Sequence, residues 1–251
     1  MTTNYILLLT STINPGLYTS SVSRNNPEVR TSDYLSALNF WENLGDHRIT
    51  GIVFCDNSGA NIEYIKESCK NFKLPIEFLV FDGNTKPDGV HYGYSELGII
   101  DYAIINSNKI DKSSYFIKVT GRLKYPNISK LLDTLPKKFD AAVDHRKRYR
   151  NENGYILRAR TQLMIFNLHF YIENLLQKRQ EMPGKFSHIE EFIAIKLNIF
   201  SFSHIIIQRF KTELLISGVS GNKNENYNNF KNKIKFSLRK LVRYTTPSIW
   251  I

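Results

Sequence analysis

Short apolar runs punctuate the first half of the chain, and each is closed by a polar, turn-rich cluster. YILLL at Tyr5–Leu9 runs into TSTINPG, the run Thr50–Cys55 into DNSG, IEFLVF at Ile76–Phe81 into DGN, and the run Tyr115–Val119 into TGR. Phe139–Val143 reads as a fifth such run. Between them the spacing turns helical. In Arg30–Leu44 the residues Tyr34, Leu35, Leu38 and Trp41 share one face, Asn61–Cys69 reads as a helix, and in Glu96–Asn106 Leu97, Ile100 and Ile104 form one stripe. Strands alternating with helices imply βαβ crossovers, so the pattern predicts an α/β fold with a mainly parallel central sheet flanked by helices. Ligands of such sheets bind beyond the carboxyl ends of the strands. Four successive polar strand ends on one edge therefore outline a pocket for a polar, phosphate-bearing ligand.

The second half is patterned differently. Thr161–Leu176 carries Leu, Ile, Phe and Tyr at helical spacing and predicts a helix. Ser187–Leu197 opens with Ser187 as N-cap and Glu190 three residues on, a capping-box pattern. Ile205–Phe210 fits a short strand or a helix. SGNKNENYNN is a polar linker, and Phe230–Arg243 is a basic amphipathic helix with Phe230, Ile234, Leu238, Leu241 and Val242 on one face. The expected division is a single domain over 1–221 with a helical C-terminal portion, then a basic amphipathic tail over 222–251.

Composition narrows the class. A chain of 251 residues with 42% apolar and 13% aromatic residues buries one sizeable core. No early segment has a signal-peptide pattern and no apolar run is long enough to span a bilayer, so the expected location is cytoplasmic. Cys55 and Cys69 make neither a disulfide framework nor a zinc set. Of the net charge of +11, the tail from Asn222 contributes seven Lys or Arg against one acid, which leaves about +5 for the body. That imbalance suits an anionic membrane surface. A basic nucleic-acid-binding protein is the alternative it raises, but no RNP, KH or zinc-finger pattern accompanies it, and no nucleic-acid partner is expected. Walker A, GxGxxG, GxSxG, HExxH and kinase motifs are missing too, as is any Asp-x-Asp.

The blocks INPG, RTSDYLSALNFW, GIVFCDNSG, IEFLVFDGN, GYSELGIIDYAI and FIKVTGRLKYPN, in that order, resemble a group of bacterial glycosyltransferases that build O-antigen, capsule or lipooligosaccharide glycans. The likeness extends over residues 4 to 200, and YSELGIIDYAI and KVTGR are its most specific blocks. It implies a GT-A-like fold, a nucleotide-sugar donor, and a glycan acceptor that is lipid-linked at the inner face of the cytoplasmic membrane. A relative retaining the fold as an inactive scaffold is a further alternative.

Most GT-A enzymes hold a divalent cation with an Asp-x-Asp at the end of a central strand. The corresponding strand here ends in Thr120-Gly121-Arg122. A guanidinium matches phosphate geometry without a metal, so the expectation is transfer with no cofactor, Lys118 and Arg122 stabilising the leaving diphosphate. A local ion pair of Arg122 with Asp101 or Asp144 is the structural alternative. The resemblance further sets Thr10, Asn14, Arg30, Asp33, Asn57, Asp82, Glu96, Thr120 and Gly121 around the donor. Asp33 is equally read as a helix N-terminal acid, and Asn57 as part of an Asx turn. An inverting enzyme needs a base for the acceptor hydroxyl. Glu190 is the first candidate and Asp144 the second, with Glu191 assigned to helix capping.

Overall fold

The computed structural model describes residues 3–16, 23–150, 154–183, 185, 188–221, 226–227, 229–246 and 249. Four parallel strands form its centre: β1 (Tyr5–Ser11), β2 (Ile49–Asp56), β3 (Ile76–Val80) and β4 (Tyr115–Thr120). Three more complete the sheet: β5 (Ala141–Ala142), β8 (Leu163–Asn167) and β9 (Ile206–Ile207). The order is β3-β2-β1-β4-β8-β5-β9, and only β8 runs antiparallel to its neighbours. A separate antiparallel ribbon joins β6 (His145–Arg150) to β7 (Gly154–Ala159).

Strand side chains alternate between faces, so β1 feeds two cores. Leu7 and Leu9 join Tyr34, Leu38 and Trp41 of α1 (Pro27–Glu42) and Ile65 of α2 (Glu63–Cys69). Leu8 joins Leu97, Ile100 and Ala103 of α3 (Gly93–Asn106) and Phe192 of α7 (Ile189–Phe200) on the other face. A sheet covered on both faces explains why its strands read as unbroken apolar runs. Three short helices, α4 (Asn108–Asp111), α5 (Ile128–Leu132) and α6 (Leu168–Asn174), complete the connections before α7.

One expectation is corrected and one left open is decided. The segment expected as a helix over 161–176 splits into strand β8 and helix α6, with Asn167 as N-cap accepting from Phe170 N–H at 3.1 Å. The undecided segment at 205–210 supplies edge strand β9. Ser187 lies outside the described residues, as do 222–225 and 228 of the linker.

The last helix, α8 (Phe230–Thr245), is basic and amphipathic as expected, but its apolar ridge faces outward. Phe230, Ile234, Leu238, Leu241 and Tyr244 are exposed, and the buried residue of the helix is Arg243. Its guanidinium donates to both oxygens of Asp144 at 2.8 Å and, through Nε, to Glu213 at 2.8 Å. An ion-pair clasp, not an apolar seam, fixes the helix to the body. No helix among the described residues is long and apolar enough to cross a membrane.

Candidate active site

The cleft lies where the sheet order predicts a ligand, beyond the carboxyl ends of β1, β2 and β4. It has a volume of about 180 Å³, and Thr10, Tyr34, Asn57, Glu96, Arg122 and Glu190 are among its walls. Asp56, fully buried, anchors the loops around it. One carboxylate oxygen accepts from Ser11 Oγ at 2.9 Å and Ile13 N–H at 2.8 Å, and the other accepts from Ser58 N–H at 2.8 Å. The loops after β1 and β2 are thus tied to one buried acid. The end of β4 is tied to β1 by Gly121 N–H donating to Thr10 O at 2.8 Å. A Cβ on Gly121 would stand 2.8 Å from that same carbonyl, so no side chain fits there.

Arg122 projects from this joint. It is 8% exposed, its Cζ sits 5.8 Å from the Tyr34 ring centroid, and its Nε is buried without a hydrogen-bond partner among the described residues. Neither acid expected as a structural partner reaches it. Asp101 accepts from Tyr171 Oη at 3.0 Å and Gln177 N–H at 3.2 Å, and Asp144 is taken by Arg243. Burial pushes the Asp101 carboxyl up to about 6, against the opposing Tyr171 hydrogen bond. Tyr34 is flanked by a second guanidinium, that of Arg30, whose Cζ is 5.9 Å from the ring centroid. Arg30 is a brace: it donates to Thr12 O at 2.6 Å, Arg24 O at 2.9 Å and Tyr34 Oη at 3.2 Å.

Lys118, expected beside a diphosphate, is corrected to a place beneath the cleft. It is fully buried, and its ammonium donates to Glu96, to Thr120 Oγ1 at 3.4 Å and to Thr161 O at 2.8 Å. Three donors on three acceptors leave nothing for a ligand. Glu96 is thereby neutralised while still lining the cleft. Asn57 bonds Thr12 Oγ1 through Oδ1 at 2.6 Å, and its buried Nδ2 has no partner among the described residues.

Of the remaining sequence candidates, Thr10, Thr120 and Glu190 line the cleft, and Asn14, Asp33 and Asp82 do not. Asn14 is exposed with its Oδ1 toward Gly16 N–H, Asp33 pairs with Arg24, and exposed Asp82 bridges to Ser58 through its backbone. Asp144 is corrected as a candidate base. It is 1% exposed inside an arginine cluster, away from the cleft. Burial alone would raise its pKa, but the hydrogen bonds from Arg243 and the charges of Arg160, Arg243 and Arg209 outweigh it and hold the carboxyl below the usual range. A carboxylate stabilised in this way is a poor proton acceptor.

Glu190, on the first turn of α7, has a buried Oε2 with no hydrogen-bond partner among the described residues. The start of α7 meets the start of α3 closely, where a Cβ on Gly93 would stand 2.5 Å from Ile189 Cβ. This contact brings together His91, His188 and Glu190, one ligand atom from each lying within 4.8 Å of the others. Burial holds the His91 imidazole neutral, down to about 4, aided by His188 and by Arg158 and Lys86 and opposed by Glu96. Sequence reading missed Tyr34, Asn84 and His91. Tyr34 was hidden in an apolar helix stripe; Asn84, which donates to Pro15 O at 3.0 Å, and His91 stand in a loop without periodicity. The turn-rich KPDG just before His91 was the available signal.

No family model and no curated sequence matches the chain. Solved structures do. The 4-diphosphocytidyl-2C-methyl-D-erythritol synthase of Anaerococcus prevotii superposes with a TM-score of 0.51 at 9% identity, covering 94% of this chain and 96% of that one. The inositol-1-phosphate CTP transferase of T. maritima gives 0.50 at 13% identity over 95% and 96% of the two chains. The mannosyltransferase Ktr4p of S. cerevisiae gives 0.51 at 10% identity over 85% and 70%. At these identities the likeness is one of fold, a GT-A-like α/β fold that these nucleotidyl- and glycosyltransferases share.

Proposed function

We propose that the protein transfers a sugar from a nucleotide-sugar donor to a glycan acceptor, with the donor diphosphate against Arg122. The observation that carries this reading is the buried Arg122 guanidinium facing a cleft with no carboxylate to neutralise it among the described residues. In glycosyl transfer the bond from the anomeric carbon to the diphosphate breaks, and negative charge grows on the departing oxygen. A fixed, desolvated cation beside that oxygen stabilises the transition state more than the ground state. Asn57 Nδ2 supplies a further unengaged donor on the same cleft, and Glu190 brings a carboxylate to its wall for an acceptor hydroxyl.

The acceptor reading draws on a second surface, that of α8. Its exposed ridge of Phe230, Ile234, Leu238 and Leu241 stands among Lys231, Lys233, Lys235 and Lys240, all solvent-facing. That is the chemistry of an anionic lipid surface, where apolar side chains enter the acyl boundary and lysines meet headgroups. A lipid-linked surface glycan at the inner face of the cytoplasmic membrane is the acceptor this arrangement suits.

The test is product analysis on the purified chain with a panel of nucleotide sugars. Slow release of nucleoside diphosphate without acceptor, accelerated by glycan, is the expected result. Release of pyrophosphate from a nucleoside triphosphate and a sugar phosphate would replace this reading with nucleotidyl transfer.

A further inference from the structure

We infer that His91, His188 and Glu190 bind one divalent cation of the zinc class at the wall of the cleft. The ligand atoms of the three residues already lie within 4.8 Å of one another, although they come from two elements far apart in sequence. Two imidazoles and one carboxylate are a donor set that zinc-class cations take when they keep an open coordination position. Small side-chain rotations close the remaining distance to a shared ion.

Each group is available. His188, at the N-cap of α7, makes no side-chain capping hydrogen bond, and Glu190 Oε2 is buried there without a partner among the described residues. An unengaged buried carboxylate oxygen beside two imidazoles is an independent sign that something else completes the group, because such an oxygen is costly to leave unpaired. The hydrogen bond holding the His91 ring is from Gly93 N–H to Nδ1, long at 3.2 Å, and a cation at that nitrogen would take its place. The His91 and His188 rings meet edge to face with centroids 4.4 Å apart, so one ring already orients the other. One carboxylate oxygen suffices as a ligand, and Glu190 keeps its second oxygen for the cleft.

The inference rests on these three side chains and stands whichever transfer the cleft performs. It also revises the expectation of a metal-free enzyme. The absent Asp-x-Asp removes one way of holding a cation near the donor, and the ends of α3 and α7 supply another. Because Glu190 lines the same cleft as Arg122, a cation there and a bound diphosphate would raise each other's affinity by the same factor.

The experiment uses the full, tag-free chain, stripped with chelator and titrated with Zn²⁺ by calorimetry and with Co²⁺ by visible absorption. One ion per chain is expected, with the Co²⁺ spectrum of a four- or five-coordinate nitrogen–oxygen site and a Zn²⁺-dependent rise in Tm. His188→Gln and Glu190→Gln should each weaken Zn²⁺ by at least about 100-fold, the upper end of what loss of a mere supporting contact costs. His169→Gln, on an exposed helix surface, should bind as the wild type does. Absence of stoichiometric uptake by the wild-type chain overturns the inference. So does uptake unchanged in both His188→Gln and Glu190→Gln, each checked for fold by circular dichroism.

Discussion

Two arginines, buried to nearly the same extent, answer to different partners. Arg122 is 8% exposed and Arg243 is 7% exposed. Arg243 meets Asp144 through both carboxylate oxygens and reaches Glu213 and Phe210 O as well. Arg122 meets an aromatic face, and no carboxylate among the described residues. A buried charge is expensive unless it is paired. The charge balanced inside the chain is architecture, and the charge left unbalanced at a cleft wall is the one the proposed diphosphate would balance. Burial alone does not separate the two cases; the partners do.

The largest break in the comparison comes from Arg243→Ala. It leaves Asp144 and Glu213 buried with less compensation, and should cost about 3–5 kcal/mol in urea or thermal unfolding. Nucleotide affinity of the folded fraction should stay unchanged. Next comes acid. His145, fully buried beside Asp144, is pushed down to about 4 by burial, against the opposing charge of Asp144. A histidine whose folded pKa is depressed adds stability above its unfolded pKa near 6.5 and loses it as pH falls. His145 should therefore account for a loss of roughly 3 kcal/mol between about pH 6.5 and pH 4, read as the difference in that window between the wild type and His145→Gln, because Asp101 and His91 titrate there as well. The lowered Asp144 has the same sign, with its contribution lost further into acid.

Arg122→Ala tests the other member of the pair. It removes an uncompensated charge, so Tm should hold or rise, while nucleoside diphosphate affinity falls by the equivalent of about 1.5–3 kcal/mol, measured by calorimetry. An Arg122→Ala variant with a clearly lowered Tm but normal nucleotide affinity in its folded fraction would reverse the roles given to the two arginines. The smallest effect belongs to the α8 surface. Replacing Lys235 or Lys240 by Gln should weaken sedimentation with anionic vesicles by about 1 kcal/mol each and leave unfolding unaffected.

The parallel half of the sheet was legible because strands covered on both faces are written as continuous apolar runs, as in YILLL and IEFLVF. LMIFN was misread because four apolar residues and an asparagine running into a helix have no period of their own. The ribbon of β6 and β7 was unreadable for a different reason. HRKRYR is charged and its ribbon is separate from the main sheet, so no alternation marks it as strand. In the cleft, Arg122 and Glu190 stood out because charge beside a strand end or helix start is conspicuous. Lys118 looked equally conspicuous, and the sequence held no sign that Glu96, 22 positions away, would neutralise it. Asp144 misled in the same way, since Arg243 lies 99 positions further on.

That separation of 99 residues between Asp144 and Arg243 also bears on time. Contacts that close so long a stretch form late on the folding route, after the local βα units, because loop-closure entropy must be met first. Interactions missing from the transition state act on the rate of unfolding and leave the rate of folding nearly untouched. The clasp of α8 is thus a latch on the way out of the native state: Arg243→Ala should steepen the escape while the chain still finds its fold at nearly the original speed.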